Sequence, residues 1–313
     1  MTHLNRALIA LTLAASARAQ TTRHVDLQFA AVVNHEPFAC GHTYPGVGLK
    51  ATTITPQDFR FFVSAVELLK PDGTAVKLTL DQDAIWQYHD LALLDFEDGT
   101  GACRNGNAGL HTKISGTVPD ATYTGVRFTL GVPPELDHLD AASAPAPLNT
   151  TAMFWSWRNG YKFLKLEVSP VLAPAPVAAD ATTPAPAPAR LAGFPMHLGS
   201  VGCVSTSPTI GPPAECTQPN RVAVTFDHFD TTHDVVTADV AAMFANTDFA
   251  PADKKLGGCM SGPGNAHCEG VMQALGLPYG EIKPTVQSFF RQATGAPSVA
   301  TITATPSTPT KVE

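Results

Sequence analysis

The stretch "HVDLQFAAVV", His24 to Val33, alternates apolar and polar side chains. A period of two places every second residue on one face of an extended chain, which is the mark of a strand with one buried side. The same signature recurs along the sequence. "FRFFVSAVELLKPDGTAVKLTL" holds two such runs around a turn at Pro71 to Gly73, which predicts a hairpin. "TYTGVRFTLGV" (Thr122 to Val132), "GYKFLKLEV", "RLAGFPMHLGS" and "RVAVTFDHF" read as further strands. In "GYKFLKLEV", Lys162, Leu164, Leu166 and Val168 fall on one side, with Tyr161, Phe163, Lys165 and Glu167 on the other. Helical patterning is confined to "TADVAAMFAN" (Thr237 to Asn246) and "AHCEGVMQALG" (Ala266 to Gly276), the second closed by Gly276 as a carboxy cap. With 27 prolines, 24 glycines and 15% charged residues, the composition also favours short strands and turns over long helices. The expected class is mainly β: sandwich-like, disulfide-stapled, with few short helices.

Six cysteines, Cys40, Cys103, Cys203, Cys216, Cys259 and Cys268, supply the staples. An even number in a chain with an export signal argues for disulfides. No CxxC or CxxCH occurs, which speaks against a zinc ribbon, a thioredoxin-type site or attached c-type haem. Cys203 with Cys216 and Cys259 with Cys268 each bracket a Gly/Pro-rich loop, so these pairs are expected, leaving Cys40 with Cys103.

The export signal is read from residues 1–19. Arg6 precedes the apolar run "ALIALTLAA", and "SARA" ends in small residues at Ala17 and Ala19. The run is too short to span a bilayer as a helix. Cleavage after Ala19 is expected, with a periplasmic or secreted mature protein starting near Gln20. Residues 20–294 are expected to form one β-rich domain. It is interrupted by a low-complexity Pro/Ala insert at 169–190, and a tail at 295–313 reads as disordered. The formal net charge of -7, with no basic stripe, makes nucleic acid a poor partner.

"FWSWRNGYKF" carries two tryptophans one residue apart. As a strand it would place Met153, Trp155 and Trp157 on one face, with Phe154, Ser156 and Arg158 opposite. A bare W-x-W is more often an aromatic core ladder than a site. Histidine ligates metals more often than any other side chain, yet single ones are common without that role. His138 lies in "PPELDHLDAAS" and His197 in "FPMHLGSVGC"; His228 and His233, in "FDHFDTTHD", offer a weaker metal pattern, and His42 and His89 weaker still.

Four segments together carry a resemblance: "GVPPELDHLDAASAPAPLNTTAMFWSWRNGYKFLKLEV", "MHLGSVGC", "GGCMSGPGNAHCEGVMQALGL" and "IWQYHDLALLDFEDGTGAC". They resemble the MbnP-like family, also described as the metallo-mystery-pair four-cysteine family, from about His24 to Phe290. Members resemble methanotroph copper proteins and are paired with a di-haem, MauG-like peroxidase. The resemblance implies a periplasmic or surface protein that binds Cu(I) or Cu(II), is not itself an enzyme, and has one tryptophan oxidised to kynurenine by that partner. It implies His138 and His197 as copper ligands and Trp155 or Trp157 as the modified residue, with Trp86 as runner-up and Met153 as a soft neighbour. The six cysteines are read as structural. Two departures stand out: Asp137 occupies a position where the family pattern leads one to expect Asn, and the Pro/Ala insert is long.

The chemistry of such a conversion is coherent. Indole offers an N–H donor and no lone pair for a metal. Opening its pyrrole ring yields an aryl amine and a ketone, both with lone pairs, and two imidazoles plus such a group suit copper. A second reading is an exported β-sandwich recognition module that stacks carbohydrate or protein on its tryptophans. A metallohydrolase is the weakest, since no HExxH, GxSxG or recognisably spaced pair of catalytic carboxylates occurs.

Overall fold

The structure is a computed structural model, and the residues it describes are 21–171, 193–249 and 257–295. The expected amino-terminal signal, residues 172–190 of the Pro/Ala insert and the tail beyond Gly295 lie outside these. Seventeen strands follow one another as β1 (Thr22–Val33), β2 (Glu36–Pro37), β3 (Tyr44–Val47), β4 (Thr52–Leu69), β5 (Ala75–Lys77), β6 (Thr79–Leu80), β7 (Gln87–Tyr88), β8 (Leu91–Asp95), β9 (Lys113–Pro119), β10 (Gly125–Leu130), β11 (Phe154–Ser156), β12 (Gly160–Tyr161), β13 (Leu164–Val171), β14 (Phe194–Leu198), β15 (Val222–Phe226), β16 (Asp234–Asp239) and β17 (Phe290–Thr294). Among the described residues two short α-helices, α1 (Val240–Met243) and α2 (Glu269–Ala274), complete the order, with 3-10 turns at Thr151–Met153 and Ala266–Cys268.

The strands form two main sheets. The first runs β17-β16-β1-β9-β6, with β2 on β1; the second runs β14-β13-β4-β10-β15, with β3, β5 and β8 also on β4 and β7 on β8. Their inner faces meet through aromatic rings. Phe29 of β1 packs edge-on against Phe61 of β4 and Phe128 of β10, with centroids 6.3 and 5.5 Å away. Phe290 of β17 meets the same two rings. This is a β-sandwich with one shared core, as the alternation of "HVDLQFAAVV" and "FRFFV" requires. The PDG hairpin is present, with β4 and β5 paired antiparallel.

All three expected disulfides are present: Cys40–Cys103, Cys203–Cys216 and Cys259–Cys268. Gly276 takes φ +72° just after α2, as a carboxy-cap glycine does.

Other expectations change. Of the helix expected over Thr237 to Asn246, only Val240–Met243 is helical. Thr237 to Asp239 instead finish β16, which pairs parallel to β1. The β-branched run "VVT" gains a sheet partner there, and Asp239 then caps α1 by accepting from the Ala241 amide at 2.9 Å. Ser169 to Val171, grouped above with the Pro/Ala insert, continue β13 against Ile54 and its neighbours in β4. The tryptophan segment is not one strand. Thr151–Met153 form a 3-10 turn, only Phe154–Ser156 are extended, and Trp157 sits in the turn to β12. Met153, Trp155 and Trp157 therefore do not share a face: Met153 is in the core, while Trp157 meets Phe154 edge-on at 6.0 Å.

Candidate metal centre

In the second sheet the alternation sorts side chains cleanly. Leu164, Leu166 and Val168 of β13 lie beside Phe59 and Phe61 of β4 and beside Phe194, Met196 and Leu198 of β14. Their neighbours along each strand point to the opposite face. There Lys165 pairs laterally with both Arg60 and His197, and Glu167 with Asp58. These charges are withdrawn from water: Asp58, Arg60, Lys165 and His197 are all buried. They neutralise one another in a chain. Arg60 bonds Asp58 and faces Glu97, Lys165 bonds Asp58, and His197 Nε2 meets Glu167 Oε1 at 2.7 Å. Buried charges persist when paired in this way.

His197 is the member with a spare function. Donating Nε2–H to Glu167 leaves Nδ1 as the lone-pair nitrogen. Nδ1 is buried and has no hydrogen-bond partner. Burial lowers the imidazole pKa, the Glu167 bond opposes this, and the Lys162 and Lys165 ammoniums reinforce the depression; the net shift is below the ordinary value. The ring is thus held neutral, the form that ligates metals. Glu167, which burial would raise, is held down at about 2 by the His197 bond and Lys165.

Two residues beyond His197, just past the end of β14, lies Gly199. A Cβ there would run into Cζ3 of Trp155 and lie 2.7 Å from the Tyr161 carbonyl oxygen. The Trp155 ring therefore lies directly over Gly199. Trp155 is partly exposed and lines a cleft of about 420 Å³ with Ser156, Asn159, Ser200 and Met260.

Ser200 links this to His138. Its hydroxyl donates to Asp137 Oδ2 at 2.8 Å, while Asp137 Oδ1 accepts the Tyr161 amide at 3.0 Å. Asp137 thus pins the end of β14 to β12, with Arg221 at 3.5 Å as counter-charge. His138, the next residue, donates Nδ1–H to the Trp157 carbonyl at 2.9 Å and turns Nε2 toward Cys216 Sγ at 3.6 Å. Ser200 and His138 both border a second cleft, of about 260 Å³.

The structure therefore gathers Trp155, Trp157, His138 and His197 around the segment Gly199–Ser200. It does not merge the two imidazoles into one donor set. Among the described residues, the clusters of three or more metal-type donors are His138–Cys203–Cys216 and Cys40–Glu97–Cys103, and His197 is in neither. Trp86 is elsewhere, stacked on His111 at 5.1 Å with rings 3° from parallel. His233 bonds Asp230 in an exposed turn, His42 faces Glu36 and Tyr44, and His89 packs on Tyr88; His228 lines an open cleft with Arg23 and Tyr123. Residues that sequence reading passed over are Glu167, Gly199, Ser200 and His111. Only Glu167 left a signal, as an acidic residue on the alternating run opposite the core-facing leucines.

The fold and this cluster define a disulfide-stapled β-sandwich with histidines and partly exposed tryptophans gathered at one sheet edge. The family model of MbnP matches residues 22–261, and the chain belongs to that family. Among solved structures it is similar to MbnP from Methylosinus trichosporium, at 28% identity and a TM-score of 0.71, over 88% of this chain and all of that one. No curated protein gives a significant match. Among the described residues no helix is long and apolar enough to cross a membrane.

Proposed function

We propose that this protein binds copper after export, through His197, a ring-opened tryptophan and, brought in from its separate position, His138, with Trp155 the residue converted to kynurenine. The observation that carries the reading is the buried, unpartnered Nδ1 of His197, two residues before Gly199, over which Trp155 lies. A neutral imidazole nitrogen without a partner in a buried site lacks the hydrogen bond such an atom ordinarily has, and a soft cation would supply the missing contact. Glu167 holds the tautomer that frees Nδ1, in the manner of a carboxylate behind a metal-bound histidine. His138 is the second imidazole, with its Nδ1 fixed by the Trp157 carbonyl. Trp155 is open to the 420 Å³ cleft, so an oxidising partner can reach or draw electrons from it. In this reading the protein is the substrate of a di-haem peroxidase and is not itself an enzyme. The three disulfides and the family fit an extracytoplasmic setting.

Copper titration of protein isolated from its native host tests the reading, with peptide mass spectrometry of the same material. The Trp155 peptide should carry two added oxygens and lack one carbon monoxide. His197→Ala should weaken copper binding by at least tenfold without loss of the β-sheet circular dichroism. Intact indoles together with unchanged copper affinity in His197→Ala would sink it.

A further inference from the structure

We propose that the Cys203–Cys216 disulfide masks a second metal site, a Cys2His trio with His138 that opens on reduction and takes a thiolate-seeking d10 cation, Cu(I) or Zn(II). Donor atoms of His138, Cys203 and Cys216 all lie within 4.8 Å of one another. His138 Nε2 is 3.6 Å from Cys216 Sγ. In a tetrahedral site with metal–sulfur near 2.3 Å and metal–nitrogen near 2.05 Å, the N···S edge is about 3.6 Å and the S···S edge about 3.8 Å. The nitrogen edge to Cys216 is already at that length. Only the sulfurs must part, and reduction parts them.

The histidine is prepared for this role. Its Nδ1–H donates to the Trp157 carbonyl at 2.9 Å, which leaves the lone pair on Nε2, the atom facing the sulfur. The cleft of about 260 Å³ reaches His138 and Cys216 from solvent. Its wall carries Glu135, Asp137 and Glu215 against the single cation Arg221, a balance that favours an entering cation. The second sulfur cluster, Cys40–Glu97–Cys103, is more enclosed, with Glu97 and Cys103 fully buried. The step balances simply. A dithiol reductant gives two electrons and two protons to the disulfide, is itself oxidised to a disulfide, and leaves two thiols; metal binding then releases their protons. The site needs no oxidised indole, but it shares His138 with the copper reading above, so the two sites compete for one imidazole.

The test uses the full mature chain and Cd(II) as a probe with an ultraviolet thiolate charge-transfer band. A mild dithiol treatment is followed by alkylation mapping to find which cysteines have opened. Cys203 and Cys216 should open first, with circular dichroism unchanged, and one equivalent of Cd(II) should bind the reduced form and none the oxidised form. Zn(II) and Cu(I) should each displace it. His138→Ala should weaken binding at least tenfold, the double variant Cys203→Ser/Cys216→Ser should abolish the band, and Trp155→Phe should leave it unchanged. Binding that survives in the double variant, or a Cys203–Cys216 bridge that opens only on unfolding, would overturn the proposal. Loss of binding in Trp155→Phe alone would overturn its independence from the kynurenine reading.

Discussion

Gly199 lacks a side chain because Trp155 and the Tyr161 carbonyl fill the place a Cβ would take. Gly199→Ala is therefore expected to displace the indole and to press on the β12 backbone at Tyr161. If Trp155 is the oxidised residue, the fraction converted by the partner should fall severalfold in this variant, read from the intensities of the modified and intact peptides. An unchanged fraction would exclude Trp155 and turn attention to Trp157 or to Trp86 on its histidine stack. Single residues were unevenly legible. His138 and His197 were singled out by the family resemblance and not by their local context, and nothing in "MHLGS" shows that the imidazole donates to a glutamate from the neighbouring strand. That bond depends on the β13–β14 register, a non-local fact.

At the level of elements, the period-two pattern located β1, β4, β10, β13, β14 and β15, because each has one face in the core. It missed β16 and placed a helix over its end. "DVVTAD" is buried throughout, and a short, fully buried segment has no alternation to read. β8, "LALLD", was passed over for the same reason. The cysteines were legible as pairs because two of them close short loops. The long-range pair closes a loop of 63 residues, worth about 4 kcal/mol by loop entropy against about 3 for the 13-residue loop of Cys203–Cys216. Replacing Cys40 and Cys103 together by alanine is thus expected to lower unfolding free energy more than replacing Cys203 and Cys216. Urea denaturation of the two variants checks the order, and the reverse order would show that strain or residual structure outweighs chain entropy.

On the scale of the whole molecule, burying so many charges couples stability to acidity. Asp95 ends β8 against Arg60 of β4, fully buried. Burial pushes its carboxyl up, Arg60 resists, Glu97 adds to the rise, and the result is about 7. The folded state therefore keeps a proton that the unfolded chain, near 3.8, has released. Stability from this group is greatest below pH 4 and declines as pH rises toward 7, then levels off. Asp95→Asn keeps the shape and removes the titration, so its stability relative to the parent should improve progressively between pH 4 and 8. Urea midpoints at three pH values would show it, and parallel curves would exclude Asp95 as the source.

The parallel pairing of β1 with β16 sets Gln28 opposite Val235. A chain crossing a membrane amino end first would deliver β1 long before its neighbour on that side exists. One flank of β1 would meanwhile stay unzipped in an environment crowded with other newly delivered chains. Assembly of the first sheet must then wait for the last third of the polypeptide, and any product cut short before Asp234 would carry an open strand edge ready to pair with another molecule.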